Sequence, residues 1–302
     1  MGARFGIIAF LGLAVVTVLG AWLWYRLRPV ERHEVGEVAH ASGLTVTADN
    51  ASVVVEWVAR TRLWRAVGVL AAIGGIIGWA ALEWRTAQSL TIALTVLLWG
   101  LVGYWVGSVV AELGTARALT GEGPRSASLA PREMARYVGR WASRWPLRLA
   151  AVGGASVLAA LALGDRSWWM WACGLGAVVV AAVTRAVSHY VLDRTQPVQA
   201  DDLAAADDAV RSRSLHALGG SAVGIEIWLA SLAFGGVVSV AVGRFGVEPA
   251  IEGGDGATSL LALVTAVVVL AYAVVIPVVG FVVGRRLARR PFTVRPRVGA
   301  AP

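Results

Sequence analysis

Seven apolar runs, each close to the length that crosses a bilayer, dominate the sequence: about 5–25, 63–84, 90–111, 147–164, 167–187, 218–243 and 258–284. A helix rises 1.5 Å per residue, so about 20 apolar residues cross roughly 30 Å of hydrocarbon. There the backbone must satisfy its own hydrogen bonds, which leaves helices or closed barrels, and continuous runs of this length specify helices. The expected fold is all-α: a polytopic helical membrane protein of about seven transmembrane helices, forming a single transmembrane domain over 1–302. Charged residues make up 15% of the chain, against about 25% in soluble domains.

The first run could be confused with a signal peptide. It is too long for a typical signal core, no small-x-small cleavage pattern follows it, and Arg26, Arg28 and Arg32 come directly after. A retained first span is expected.

The basic residues are all arginine, and they orient the spans. With the N-terminus outside and the C-terminus inside, segments 26–65, 117–148, 185–213 and 285–297 hold 23 arginines, and the outside holds four: Arg4, Arg85, Arg166 and Arg244. Reversing the orientation or dropping a span destroys this split, which is the positive-inside pattern. It also accounts for the net charge of +8 without nucleic acid as a partner. The expected location is a bacterial plasma membrane, which the chain crosses several times. The outside connections are short and the inside ones longer, so a cytoplasmic or membrane protein partner is the expectation. Glycines at four-residue spacing, including Gly103/Gly107 and Gly220/Gly224, let helix backbones approach closely, within the bundle or in a homo-oligomer.

The order of segments reads as one leading span followed by three hairpins, each starting from a basic inner segment. Arg60-Thr-Arg62-Leu-Trp-Arg65-Ala-Val-Gly68 aligns with Arg211-Ser-Arg213-Ser-Leu-His216-Ala-Leu-Gly219. The middle copy, from Val138, is weaker. Either an internal repeat or convergence on the same span chemistry produces this pattern.

Segment 131–145 is expected to form an amphipathic helix in the plane of the inner membrane surface. Arg132, Arg136, Arg140 and Arg144 recur every four residues, while Tyr137, Trp141 and Trp145 fall on the apolar face with Met134 and Val138. Such a helix places its rings toward the acyl chains and its guanidiniums toward anionic lipid headgroups, or docks a cytoplasmic partner. Trp168, Trp169 and Trp171 read as an interfacial belt.

Glu226 is the carboxylate that falls well inside a span. At that depth it should be paired, protonated or open to water. Arg185 is its expected partner, with His189 one turn further on. Asp201, Asp202, Asp207 and Asp208 superficially resemble the paired acids that hold magnesium and diphosphate in prenyl-transferring enzymes, but the second such motif is absent. The competing explanation is helix-start chemistry, with Asp207 facing Arg211 at i+4. No catalytic residues and no cofactor are indicated: the sequence has no phosphate loop, metalloprotease histidine pair or nucleophile elbow. Cys173 is alone and reads as a small apolar side chain. Asn50-Ala-Ser52 matches a glycosylation acceptor but falls on the expected inner side.

Two inner stretches, Arg125-Ser-Ala-Ser-Leu-Ala-Pro-Arg132 running on to Tyr137 and Ala205-Ala-Asp-Asp-Ala-Val-Arg-Ser-Arg-Ser-Leu-His-Ala-Leu218, resemble segments of uncharacterised actinobacterial multi-span integral membrane proteins. The resemblance implies a membrane setting and no particular chemistry. Three functions stay open: a non-enzymatic membrane component, permease-like or accessory, acting with a partner; a stand-alone small-molecule or ion transporter using Glu226; and an inner-surface enzyme using Asp201–Asp208.

Overall fold

The computed structural model describes residues 18–20, 22–82, 89–119, 125–126, 134–138, 142–194, 196–197 and 201–244, with single positions at 279, 282, 283 and 286. Most of the expected first span and nearly all of the last lie outside these residues. The fold is helical: α1 (Arg32–Ser42), α2 (Ala51–Leu82), α3 (Ser89–Leu119), α4 (Met134–Val138), α5 (Trp145–Ala162), α6 (Trp168–Asp193) and α7 (Asp201–Arg244). Among the described residues the one extended pairing is two residues long, β1 (Arg125–Ser126) antiparallel to β2 (Gln196–Pro197). Among the same residues three helices are long and apolar enough to cross a membrane: α5, α6 and the Asp202–Val238 stretch of α7. Their outward faces carry large apolar side chains, with Leu158 68% and Trp168 80% exposed. A bilayer covers such a surface, whereas water would penalise it. The chain is a transmembrane helical protein.

It divides into two compact units, one of 1–143, 184–221 and 285–302, the other of 144–183 and 222–284. In the first unit the helices outrun the apolar segments. The expected spans began at 63 and ended at 111, but α2 starts at Ala51 and α3 runs to Leu119. Likewise α7 begins at Asp201, well before the apolar run at 218. Hydropathy marks only lipid-compatible residues, and these extensions bury their polar faces against protein instead.

Short α1 is fixed at both ends. The Glu34 carboxylate accepts the backbone N–H of Glu31 (3.1 Å) at the start. Gly43, at φ 63°, ends the helix in the left-handed region, and Leu44 N–H donates back to Ala39 C=O at 2.9 Å. Val38 then buries itself against Val54, Trp57 and Val58 of α2 and Ala206 and Val210 of α7. Asn50, which the sequence flags only as a glycosylation pattern, is buried and shapes the α1–α2 loop. Its Oδ1 accepts Thr47 N–H and its Nδ2 donates to Thr45 C=O, both at 2.9 Å. Between α2 and α3 the backbones nearly touch. A Cβ added at Gly68 would sit 2.1 Å from the Gly103 carbonyl oxygen, and one at Gly107 would sit 2.2 Å from that of Trp64. The Gly103/Gly107 spacing therefore serves packing inside this unit.

The second unit packs on small residues as well. A Cβ at Gly174 would lie 2.2 Å from Val157, and one at Gly236 would lie 2.5 Å from Trp169. The α5–α6 turn is the expected short one. Gly164 takes φ 84°, and the Asp165 carboxylate accepts from the Ser167 N–H and hydroxyl at 2.9 and 2.8 Å.

The 131–145 region differs from the expected continuous interfacial helix. Its described parts are the five-residue α4 and a 3-10 turn at Ala142–Arg144, with Trp145 already opening α5. Arg132, Arg140 and Trp141 lie outside the described residues, as does the side chain of Arg136. Arg144 is exposed and Trp145 half-buried. Tyr137 is buried, 4% exposed, and its hydroxyl and carbonyl both have partners near the start of α7.

Candidate functional site

The polar side chains of the first unit converge where α7 begins. Asp207 faces Arg211 one turn on, as its i+4 spacing predicts, with Arg211 Nε donating at 2.7 Å. Arg194, just past the end of α6, donates to the other carboxylate oxygen. The second guanidinium was not foreseeable from local spacing. Arg211 also gives Nη1 to the carbonyls of Val191 (3.2 Å) and Leu192 (3.0 Å) and Nη2 to that of Arg194 (2.8 Å). These carbonyls lie at the end of α6, so one side chain both pairs an acid and caps that helix. Burial draws the Arg194 guanidinium below its usual range, and the charge of Asp207 opposes that shift. Next to it, Tyr137 Oη donates to Asp208 (3.1 Å), and Ser212 Oγ donates to the Tyr137 carbonyl at 3.2 Å. His216 Nδ1 lies 2.8 Å from the Ser212 carbonyl.

Three of the four aspartates separate by role, and the side chain of Asp201 lies outside the described residues. Asp207 is consumed by two arginines, Asp208 is held by Tyr137, and Asp202 is exposed. Among the described residues no three His, Cys, Asp or Glu groups are placed to hold a metal ion.

A second polar cluster lies in the same unit, and sequence reasoning missed it. Glu112 falls one residue beyond the expected end of the third span, yet α3 continues past it and leaves it fully buried. The Trp57 indole N–H donates to Glu112 Oε1 (3.4 Å) and to Ser214 Oγ (3.2 Å). Arg65 donates from Nε to Ser108 Oγ at 3.0 Å and stacks on Trp57 and Tyr104. The signal was available as two polar stripes in otherwise apolar helices: Trp57, Thr61 and Arg65 on α2, and Ser108, Glu112 and Thr115 on α3. A cavity of about 10 Å³ lies beside them, lined by Val53, Glu56, Trp57, Arg60, Thr115 and Val210.

Glu226 belongs to the other unit. It is fully buried, and among the described residues neither carboxylate oxygen meets a hydrogen-bonding group. Arg185, its expected partner, belongs to the first unit and is exposed on α6, as is His189. Cys173 is half-buried.

In comparisons with known proteins, no family model, no curated protein and no solved structure matches the chain.

Proposed function

We propose that the protein is a multi-pass component of a bacterial plasma membrane, non-enzymatic and permease-like or accessory, which acts with a cytoplasmic or membrane protein partner. It crosses the bilayer about seven times, N-terminus outside and C-terminus inside, with the arginine-rich inner segments against anionic lipid. The observation that carries this reading is the use of the inner ionic groups. Asp207 pairs both Arg194 and Arg211, and Arg211 also caps a helix, so these groups serve as scaffold and present no convergent set to a substrate.

The orientation is tested by single-cysteine labelling in a Cys173→Ala background. Glu122→Cys and Asp202→Cys should be protected from an impermeant maleimide in intact cells and react once the membrane is opened. Ready labelling from outside would reverse the topology. Asp202 suits this purpose because it is exposed, whereas the nearby Ala206 is buried.

One observation favours a second reading. Glu226, buried with two unpartnered oxygens in an apolar helix, is the kind of group a stand-alone proton- or ion-coupled transporter uses. Proteoliposomes with an imposed pH gradient separate the two. The accessory reading expects the wild-type protein and Glu226→Gln to give the same flux as empty vesicles. A wild-type flux that Glu226→Gln abolishes would replace it with the transporter.

A further inference from the structure

Helix α5 has one face packed on protein and one face exposed. Ala150, Gly153, Val157 and Ala160 are buried, and this side lies close to α6: a Cβ added at Gly153 would sit 3.2 Å from that of Ala177. The contact fixes the phase of the helix, which sets the opposite side as well. Arg144, Arg148, Ala151, Ala155, Leu158 and Ala162 are all exposed and follow one another at alternating steps of four and three residues. That spacing makes one stripe along the helix. Arg144 belongs to it because its backbone is already helical, with φ −97° and ψ −16°.

The stripe changes character along its length. At its start two arginines stand one turn apart, near enough for both to reach one phosphate group. The Arg148 guanidinium lies 5.9 Å from the centre of the half-buried Trp145 ring, over its face, which keeps it at that end. Ion pairs among the described residues engage Arg28, Arg60, Arg62, Arg194 and Arg211, and neither Arg144 nor Arg148. Beyond Arg148, α5 carries no charged residue as far as its end at Ala162. That is a rise of roughly 20 Å, more than the roughly 15 Å of one leaflet's hydrocarbon. An anionic phospholipid has the same order, a phosphate followed by an acyl chain. A second copy of this chain is the other occupant that such a stripe could take. Two copies of one topology related by a twofold axis meet at equal height in a membrane. Arg144 and Arg148 would then face their own counterparts, and like charges repel, whereas a lipid phosphate neutralises them.

We propose that the exposed face of α5 is a binding site for one anionic phospholipid, its phosphate held between Arg144 and Arg148 and an acyl chain laid along Ala151, Ala155 and Leu158. This rests on the membrane reading given above and narrows it from arginine-rich segments against lipid to a site for one molecule. It also brings in Arg148, which lies past the expected interfacial segment 131–145. Orientation and protein partner do not enter, so a detergent experiment tests the site apart from the proposed function.

Native mass spectrometry of the full-length protein in mild detergent reads bound lipid directly. Phosphatidylglycerol should be retained several-fold more tightly than phosphatidylcholine, and no preference in the wild-type protein would overturn the proposal without recourse to any variant. Arg144→Gln with Arg148→Gln should bring phosphatidylglycerol down to the phosphatidylcholine level, with phosphatidylcholine adducts unchanged as a report of an intact fold. Arg32→Gln with Arg166→Gln removes the same charge from two exposed positions outside α5 and should keep the preference. A preference that survives the first pair of changes, or is lost equally with the second, would sink the idea. Two further results would also overturn it. One is glycerol 3-phosphate, which has the charge without the acyl chains, retained as tightly as the lipid, since the arginines would then hold a free anion. The other is a wild-type dimer that Ala155→Trp dissociates, since the face would then belong to a second copy.

Discussion

Glu56 and Arg60 on α2, and Asp207 and Arg211 on α7, are built on the same plan: an acid, an arginine four residues later, and a guanidinium that also reaches backbone carbonyls of another segment. Arg60 donates to Glu56 and to the Gly114 carbonyl at 3.0 Å, as Arg211 does to Asp207 and to Val191, Leu192 and Arg194. Both pairs keep the 151-residue offset that aligns the two basic segments in the sequence. Their surroundings differ sharply. Side-chain exposure is 60% for Glu56 and 22% for Arg60, against 8% for Asp207 and 1% for Arg211. An exposed pair exchanges water for an ion at little net gain, whereas a buried pair cannot lose one member without stranding the other. The same four-residue device is a surface contact in one place and a keystone in the other.

The largest effect should come from Asp207→Ala, which removes the carboxylate that two buried guanidiniums share. We expect a loss of about 3–5 kcal/mol, the range for breaking a buried ion pair from one side, read as a large drop in thermal stability in detergent. Asp207→Leu combined with Arg211→Met should recover part of it. If Asp207→Ala costs no more than removing Glu56, burial does not separate the two pairs and the comparison breaks.

An intermediate case sharpens the contrast. Arg62, 13% exposed, pairs with Glu34 at 2.9 Å and donates to the carbonyls of Arg28 (2.6 Å) and Tyr25 (3.4 Å). Charged hydrogen bonds of this kind contribute about 1.5–3 kcal/mol, so Arg62→Leu should destabilise less than Asp207→Ala. Release of α1 should accompany it, visible as faster proteolysis near residues 28–44. Unchanged cleavage there would show that Val38 packing alone holds α1.

Glu56→Gln should cost at most about 1 kcal/mol, and raised salt should erase the difference from wild type. A salt-resistant loss would mean that the pair is sheltered by something the exposure values do not register.

The smallest effect concerns the start of α1. The Arg28 guanidinium, by hydrogen bond and charge, holds the Glu31 carboxyl below its usual range. A depressed folded-state value means the contact is fully present above the unfolded-state pKa and is lost as pH falls through the folded-state one. Titration followed at Glu31 should therefore show a midpoint below that of a free glutamate, and Arg28→Gln should return it to the ordinary range. A wild-type midpoint already in that range would show that solvent screens the contact out.

The membrane class and helical architecture follow from runs of about 20 apolar residues, because hydrocarbon gives the backbone no other way to satisfy itself. Local spacing was equally legible: it paired Asp207 with Arg211, placed Gly103 and Gly107 on one close-packed face, and set the tight turn at Gly164. Each of these depends on residues within a turn or two of one another. What the sequence could not supply is the phase of one helix against the next. That phase brings Arg194 to Asp207, seals Glu112 behind Trp57 although it stands just outside the apolar run, and buries Tyr137 beside the start of α7. Hydropathy records only how well a residue tolerates lipid; whether a polar side chain is buried, and what it meets there, is decided by neighbours distant in the chain.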